Sequence, residues 1–387
     1  MTFAKFTKNA LPLLAFAGLL SACNGFFDKD NTPTPKPLVN FAQQVQPQRL
    51  WSTDVGSGSG GDTLKMTPSI DNHTLYSANA NGVVTAISLD NGSRLWKTDT
   101  DTALTTGTAA DQGIVVVGSR HGDVIALNES NGHLRWKINI KGELLANPAL
   151  ANQHVALKTI DGSLMLLDAA TGKTLWTQQQ AEPTLILRAS STPIITDRSV
   201  IAGFANGNLV KLNLASGQLD WLQPIATANG IFPIERMIDI DANPVVYHDR
   251  VFAATYQGNI AALALDSGQV LWSHDISSYT GMDVDDSTAF ITDAHGYIYS
   301  FDANSGLVNW RQTDLEARVL TAPVIMGNTV VVGDAEGYLH WLSRQDGHFL
   351  GRVSVGSPLF ATPLVDHNVL YALTNKGTLS AYRLASS

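Results

Sequence analysis

The chain has 387 residues, 44% of them hydrophobic and 15% charged, which is enough apolar material for one large core or for two or three smaller ones. Its formal charge is −9 and no run of Lys or Arg occurs in it, so nucleic acid is not expected as a partner, because phosphate binding needs a basic face. The single cysteine, Cys23, excludes an intramolecular disulfide, a cysteine-based metal knuckle and a thiol active site in the body of the fold.

Lys5 and Lys8 precede an apolar stretch from Ala10 to Leu20. A membrane-spanning helix needs roughly 20 apolar residues, and this stretch is shorter, so residues 1–22 read as a secretory leader. The stretch ends in Leu20-Ser21-Ala22-Cys23, which resembles the bacterial lipobox. That resemblance implies cleavage before Cys23 and acylation of its sulfur and new amino terminus, and several acyl chains anchor a protein firmly where one does not. Asn24 stands where lipoproteins retained in the inner membrane carry Asp, which implies the periplasmic face of the outer membrane instead. Without the leader the chain loses two lysines and no acid, leaving −11. Residues 23–48 carry Pro33, Pro35, Pro37 and Pro47 with few large apolar side chains and read as a flexible tether.

From residue 49 to the end the chain repeats. The unit is Gly, an alternating strand, Asp or Asn, a short turn ending in Gly and, four residues on, Trp. Gly122 to Asn128 leads to Gly132 and Trp136; Gly162 to Asp168 leads to Gly172 and Trp176. The leading glycines, from Gly82 to Gly377, lie 40, 40, 45, 51, 38, 41 and 40 residues apart, the period of a blade of four short antiparallel strands. The expected fold is therefore all-β, an eight-bladed β-propeller. Tight hairpins follow from the Asp or Asn and Gly at each turn. Pro68, Pro148, Pro193, Pro244, Pro323 and Pro363 open the first strands, where proline costs no ladder bond. The eighth copy ends without its fourth strand, and Arg49-Leu50-Trp51 lacks a blade of its own. Trp51 lies 45 residues before Trp96, so this segment is expected to close the ring. The seventh copy departs from the pattern, with Gly351 in the Trp position.

Chemistry is harder to find. The ten His residues form neither His-x-His nor His-Glu-x-x-His. Gly56 to Gly61 spells G-x-G-x-x-G without a helix pattern behind it, and reads as a loop. Asp283-Val-Asp285-Asp286 lacks the Gly and distal Glu of a calcium loop and sits where a blade's first strand should begin, and it reads as a solvated acidic turn. Neither a metal nor a cofactor is expected. The repeat resembles that of eight-bladed pyrroloquinoline-quinone dehydrogenases, which makes a quinone-dependent dehydrogenase-like propeller the alternative reading. Those enzymes resemble one another in an adjacent cysteine pair as well, and a propeller without cysteine cannot supply it, so a non-enzymatic role is preferred.

The turns between third and fourth strands are uniformly short, so irregular segments gather on the other face, at 52–64, 177–190 and 222–241. The second holds Leu185-Ile186-Leu187-Arg188, an apolar run beside a cation, the composition of a binding hot spot. Ile186 is read equally well as the start of the next strand. The third holds Ile231-Phe232-Pro233-Ile234-Glu235-Arg236-Met237 and then Asp239-Ile240-Asp241, whose carboxylates read as complements to a basic partner or as orienters of Arg188.

The lipobox, the tether, the eight Trp-bearing blades, Leu-x-Leu-Arg before the fourth blade and Asp-x-Asp before the fifth together resemble the BamB family, the lipoprotein subunits of the outer-membrane β-barrel assembly machine. The resemblance covers the whole mature chain. It implies a scaffold that binds the periplasmic POTRA domains of BamA, joins the rest of the BAM complex and helps nascent outer-membrane proteins fold and insert. It implies further that Leu185, Leu187, Arg188, Asp239 and Asp241 are the BamA-binding positions and Cys23 the lipid attachment.

Overall fold

In the computed structural model, residues 33–59, 64–187 and 191–385 are described, so Cys23 and Arg188 lie outside the described residues. The described chain forms eight four-stranded antiparallel sheets, with one turn of 3-10 helix at Pro233–Arg236. Blade 2 is representative: Ala109–Asp111, Ile114–Gly118, Asp123–Asn128 and Leu134–Asn139 pair in that order. Numbered from residue 69, blades 1 to 7 span 69–99, 109–139, 149–179, 194–224, 245–275, 281–312 and 324–354. Each first strand begins directly after its proline where one is present, as at Pro148 and Ala149–Ala151.

Burial follows from position in the blade. Second strands such as Ile114–Gly118 are buried on both sides, because each sheet is sandwiched between two others, and in Ile114–Gly118 and Thr329–Gly333 they are runs of β-branched residues. Outer strands alternate, as in Leu134–Asn139, where Trp136 turns inward and its neighbours face solvent. The indole of Trp136 donates to the carbonyl of Ala169 in the next blade at 2.9 Å, and that of Trp96 donates to Glu129 at 2.7 Å. Trp51, Trp176, Trp221, Trp272 and Trp310 repeat the bond. Each ring lies beneath the turn glycine of the following blade. A Cβ on Gly132, whose φ is +70°, would fall 2.5 Å from Trp96 Cε3, so only glycine serves there. The repeat's Gly and Trp are thus two halves of one inter-blade joint.

Blade 8 closes the ring as the sequence leads one to expect. Pro47–Asp54 pairs with Thr378–Leu384, Trp51 opposite Ala381, and completes the sheet formed with Leu364–Asp366 and Val369–Leu373. This arrangement also explains Gly351. Blade 8 takes its third and fourth strands from opposite ends of the chain, so no turn glycine is there to receive a Trp from blade 7. The chain approaching Pro47 passes through that slot instead: a Cβ on Gly351 would lie 2.7 Å from Val45 Cγ2, and the amides of Gln44 and Val45 both donate to Leu350 O at 2.7 and 3.1 Å.

Two expectations need correcting. Residues 36–46 are not a loose tether; they lie along the outer edge of blade 7, with Phe41 stacked on Phe349 at 5.4 Å. Asp283 does not stand in a solvated turn but within Gly281–Val284, and its carboxylate accepts the Ile325 amide of the next blade at 2.7 Å. Asp285 pairs with Arg344, and Asp286 with His248 and Tyr247. These acids link neighbouring blades.

Candidate functional site

Strands alternate in direction, so the blade-to-blade connections and the turns between second and third strands share one face. Two of its connections, 180–193 entering blade 4 and 225–244 entering blade 5, hold the predicted site residues. They are joined directly. The backbone amide of Leu187 donates to Asp239 Oδ1 at 2.8 Å, and the amide of Thr192 donates to Asn243 Oδ1 at 2.8 Å. Leu185 is 45% exposed, Leu187 and Ile186 are half-buried, and none of the three belongs to a strand, so the loop reading of the apolar run holds.

The two acids are placed differently from the expectation. Asp239 and Asp241 are only 1% and 4% exposed, so neither offers its charge on the surface to a partner. Asp239 faces the first loop, and its main chain is fixed by Tyr256, whose amide donates to Asp239 O at 2.9 Å. Between them Ile240 packs onto Gly203, where a Cβ would approach Ile240 Cγ2 to 2.2 Å, and its amide donates to Phe204 O at 3.2 Å. The alternation of Asp-Ile-Asp therefore seats an apolar side chain over blade 4 and turns both carboxylates inward.

What they meet is a buried ionic cluster. Lys158, at the end of His154–Lys158, donates to Gly203 O and, at 3.1 Å, to Ser191 Oγ, and its amine lies 5.5 Å from the Phe204 ring centroid. Burial pulls the Lys158 amine down to about 8 against the opposing pull of Asp241, Glu182 and Asp239. Burial raises Asp239 to about 7, helped by the like charge of Asp241 and opposed by the Leu187 amide. Asp241 is raised by burial to about 6, with Lys65 and Lys158 holding it down. Glu182 is raised by burial too, while its Oε1 accepts the Ala205 amide at 3.4 Å. Asp239 Oδ2, Asp241 Oδ2 and Glu182 Oε2 are buried without hydrogen-bond partners among the described residues. Lys65, in the connection that enters blade 1, donates to Tyr279 O ahead of blade 6, and it also acts on Asp241 ahead of blade 5. Blades 1 and 5 stand opposite each other in a ring of eight, so this side chain reaches over the channel mouth.

Beyond the cluster the second loop ends in an apolar knuckle. Ile231, Phe232 and Ile234 are 89%, 62% and 62% exposed. The knuckle is nonetheless ordered by its own bonds: the Glu235 carboxylate accepts the amides of Ile231 and Phe232 at 2.9 and 3.0 Å, closing the helical turn that Pro233 begins. Met237, Ile238 and Ile240 root it in the fold. Exposed apolar side chains on a rigid base are what a protein-binding surface offers.

Sequence reasoning passed over Lys158, Glu182 and Lys65. For Lys158 a signal existed. The slot at the end of each second strand holds Ala78, Gly118, Gly203, Ala254, Thr292, Gly333 and Leu373 in the other blades, so a lysine there is out of register with the repeat. Glu182 and Lys65 sit in irregular segments where no repeat exists to depart from.

Known proteins resemble the chain at the level of sequence and of fold. A family profile described as outer membrane protein assembly factor BamB matches residues 80–312 and 294–386. The outer membrane protein assembly factor BamB of Legionella pneumophila (strain Paris) is 40% identical over 96% of this chain and 98% of its own. The crystal structure of BamB from Moraxella catarrhalis superposes with a TM-score of 0.77 at 24% identity, covering 87% of this chain and 98% of that one. The quinohemoprotein alcohol dehydrogenase of Comamonas testosteroni also superposes, with a TM-score of 0.69 at 13% identity, covering 87% and 76%, which is a likeness of fold alone.

Proposed function

The chain belongs to the family of the outer membrane protein assembly factor BamB, and from that membership we propose that it is a non-enzymatic scaffold of the outer-membrane β-barrel assembly machine. It acts at the periplasmic face of the outer membrane, held there by acyl chains on Cys23, and binds the POTRA domains of BamA so that nascent outer-membrane proteins are brought to the barrel.

The observation that carries this reading is the junction of the two loops. Leu187 and Asp239 hydrogen-bond at 2.8 Å, and the loops so joined expose Leu185, Ile231, Phe232 and Ile234. Leu185 and the knuckle are the apolar contacts, and Arg188 is the charged one. Asp239 and Asp241 have an indirect part. Asp239 holds the first loop through the Leu187 amide beside Leu185, and Asp241 acts on Asp239 through its charge, which is how a buried carboxylate contributes to an interface it does not touch.

The test is co-purification of BamA with the full-length protein carrying Arg188→Glu or Leu185→Ala. Loss of BamA from both, with the propeller intact by circular dichroism, is the expected outcome; undiminished recovery with both substitutions overturns the reading.

A further inference from the structure

Residues 36–45 cross the outer edge of blade 7 as an extended segment outside any sheet. The surface beneath them is built for a main chain. Asp334 and His340, both wholly buried, anchor two guanidinium groups: Asp334 Oδ2 accepts Arg318 Nε at 2.7 Å and His340 Nε2 at 2.9 Å, and Arg352 Nε donates to His340 Nδ1 at 3.0 Å. These bonds fix the His340 tautomer with its proton on Nε2. The free ends of the guanidiniums then point outward at carbonyls of the segment, Arg318 Nη1 to Lys36 O at 3.2 Å and Arg352 Nη1 to Val39 O at 3.0 Å. Neither bond reads a side chain. Side chains are read at two positions: Phe41 lies on Phe349 and 4.9 Å beneath the Arg352 guanidinium, and Lys36 Nζ donates to Asp314 Oδ1 at 2.7 Å.

The segment underfills this site. Arg352 Nη2 is buried with no hydrogen-bond partner among the described residues. A cavity of about 230 Å³ remains between segment and blade, lined by Val39, Phe41, Tyr338, Arg352 and Ser354 among others. Main chain to main chain, among the described residues, only the amides of Gln44 and Val45 bond to the blade's outer strand, both to the single carbonyl of Leu350, so the rest of that strand's main-chain edge is unpaired by the segment. A spare donor, spare volume and an open edge describe a groove shaped for a longer extended chain than the one in it.

We propose that the outer edge of blade 7 is a peptide-binding groove that the chain occupies with its own residues 36–45 and exchanges for an extended, aromatic-bearing segment of an unassembled β-barrel protein. The groove follows from the contacts above; the source of its second occupant rests on the assembly role proposed in the preceding subsection. A covalently attached occupant competes at an effective concentration in the millimolar range, so weakening it exposes the site without altering the groove.

The experiment uses the full chain and a fluorescein-labelled peptide of residues 36–46. The F41A chain should bind the peptide at least tenfold more tightly than the unsubstituted chain, and adding R352A to F41A should abolish the gain. A peptide carrying the Phe41→Ala change should bind tenfold more weakly. Equal binding by F41A and the unsubstituted chain, with both folded by tryptophan fluorescence, overturns the groove. Adding a urea-unfolded outer-membrane β-barrel protein by dilution should displace the bound peptide. Binding of the peptide without such displacement overturns the second occupant alone, and BamA co-purification, measured in parallel on F41A, should stay unchanged because the segment is remote in sequence and blade from the loops entering blades 4 and 5.

Discussion

The amide of Leu187 donates to the carboxylate of Asp239 across two loops that enter different blades. An acid so placed is costly to ionise, since burial and Asp241 push it up to about 7. Its folded value lies above its unfolded value near 4, so the folded state binds the proton more tightly and stability falls as pH rises through roughly 4 to 7. Asp239→Asn keeps an acceptor for Leu187 and removes the charge. The variant should be more stable than the parent at pH 8 by on the order of 2 kcal/mol, and the gap should vanish by pH 4. Thermal melts of both proteins across this range decide it.

Phe232 lies in the knuckle with most of its side chain exposed, so its removal takes little from the core. Phe232→Ala should leave the melting temperature unchanged and weaken binding of BamA about thirtyfold, corresponding to roughly 2 kcal/mol for a hot-spot aromatic. Glu235→Ala should weaken it too, by releasing the amides of Ile231 and Phe232, whereas Glu235→Gln, which retains an acceptor, should restore most of the affinity. Titration calorimetry with isolated POTRA domains measures all three.

Trp176 and Gly217 form one joint, with the indole donating to Leu214 O at 2.8 Å. Trp176→Ala should cost about 3 to 5 kcal/mol, as for other buried aromatics. Gly217→Ala places a methyl within 2.7 Å of Trp176 Cδ2 at a φ of +68°, so it should be destabilising as well. The double variant should cost less than the two losses added, because the indole that obstructs the methyl is gone. Urea denaturation of the three variants gives the cycle.

Gly351→Trp restores the consensus of the repeat, a class of substitution that commonly stabilises. Here it should destabilise. The slot already holds Val45, and the new indole must expel it. Faster proteolysis between residues 36 and 46, with the remaining propeller resistant, is the expected signature.

Most of the architecture was legible because a repeat announces itself: Gly and Trp recur where one blade meets the next, and an unpaired Arg49-Leu50-Trp51 has only one vacancy to fill. The two loops were legible for the converse reason, as irregular stretches in a regular text. Burial within them was not. Asp239 and Asp241 look like surface acids until Ile240 is seen to pack on Gly203, a contact between segments that carries no local pattern. The docking of residues 36–46 was missed because Pro33, Pro35 and Pro37 suggest a solvated chain, while the arginines that hold its carbonyls lie some three hundred residues away. Main-chain recognition leaves no trace in the sequence of the segment recognised.

Trp51 stands opposite Ala381, 330 positions further along the chain. Loop closure on that scale comes late in folding. Seven blades can zip up in order as local hairpins, but Pro47–Asp54 must wait, unmatched, for Thr378–Leu384, and until then both flanks of the growing stack are uncovered apolar sheet faces. A chain without Thr378–Leu384 leaves Pro47–Asp54 with no strand to pair, so the clasp between these two distant segments is also what seals the molecule against its neighbours.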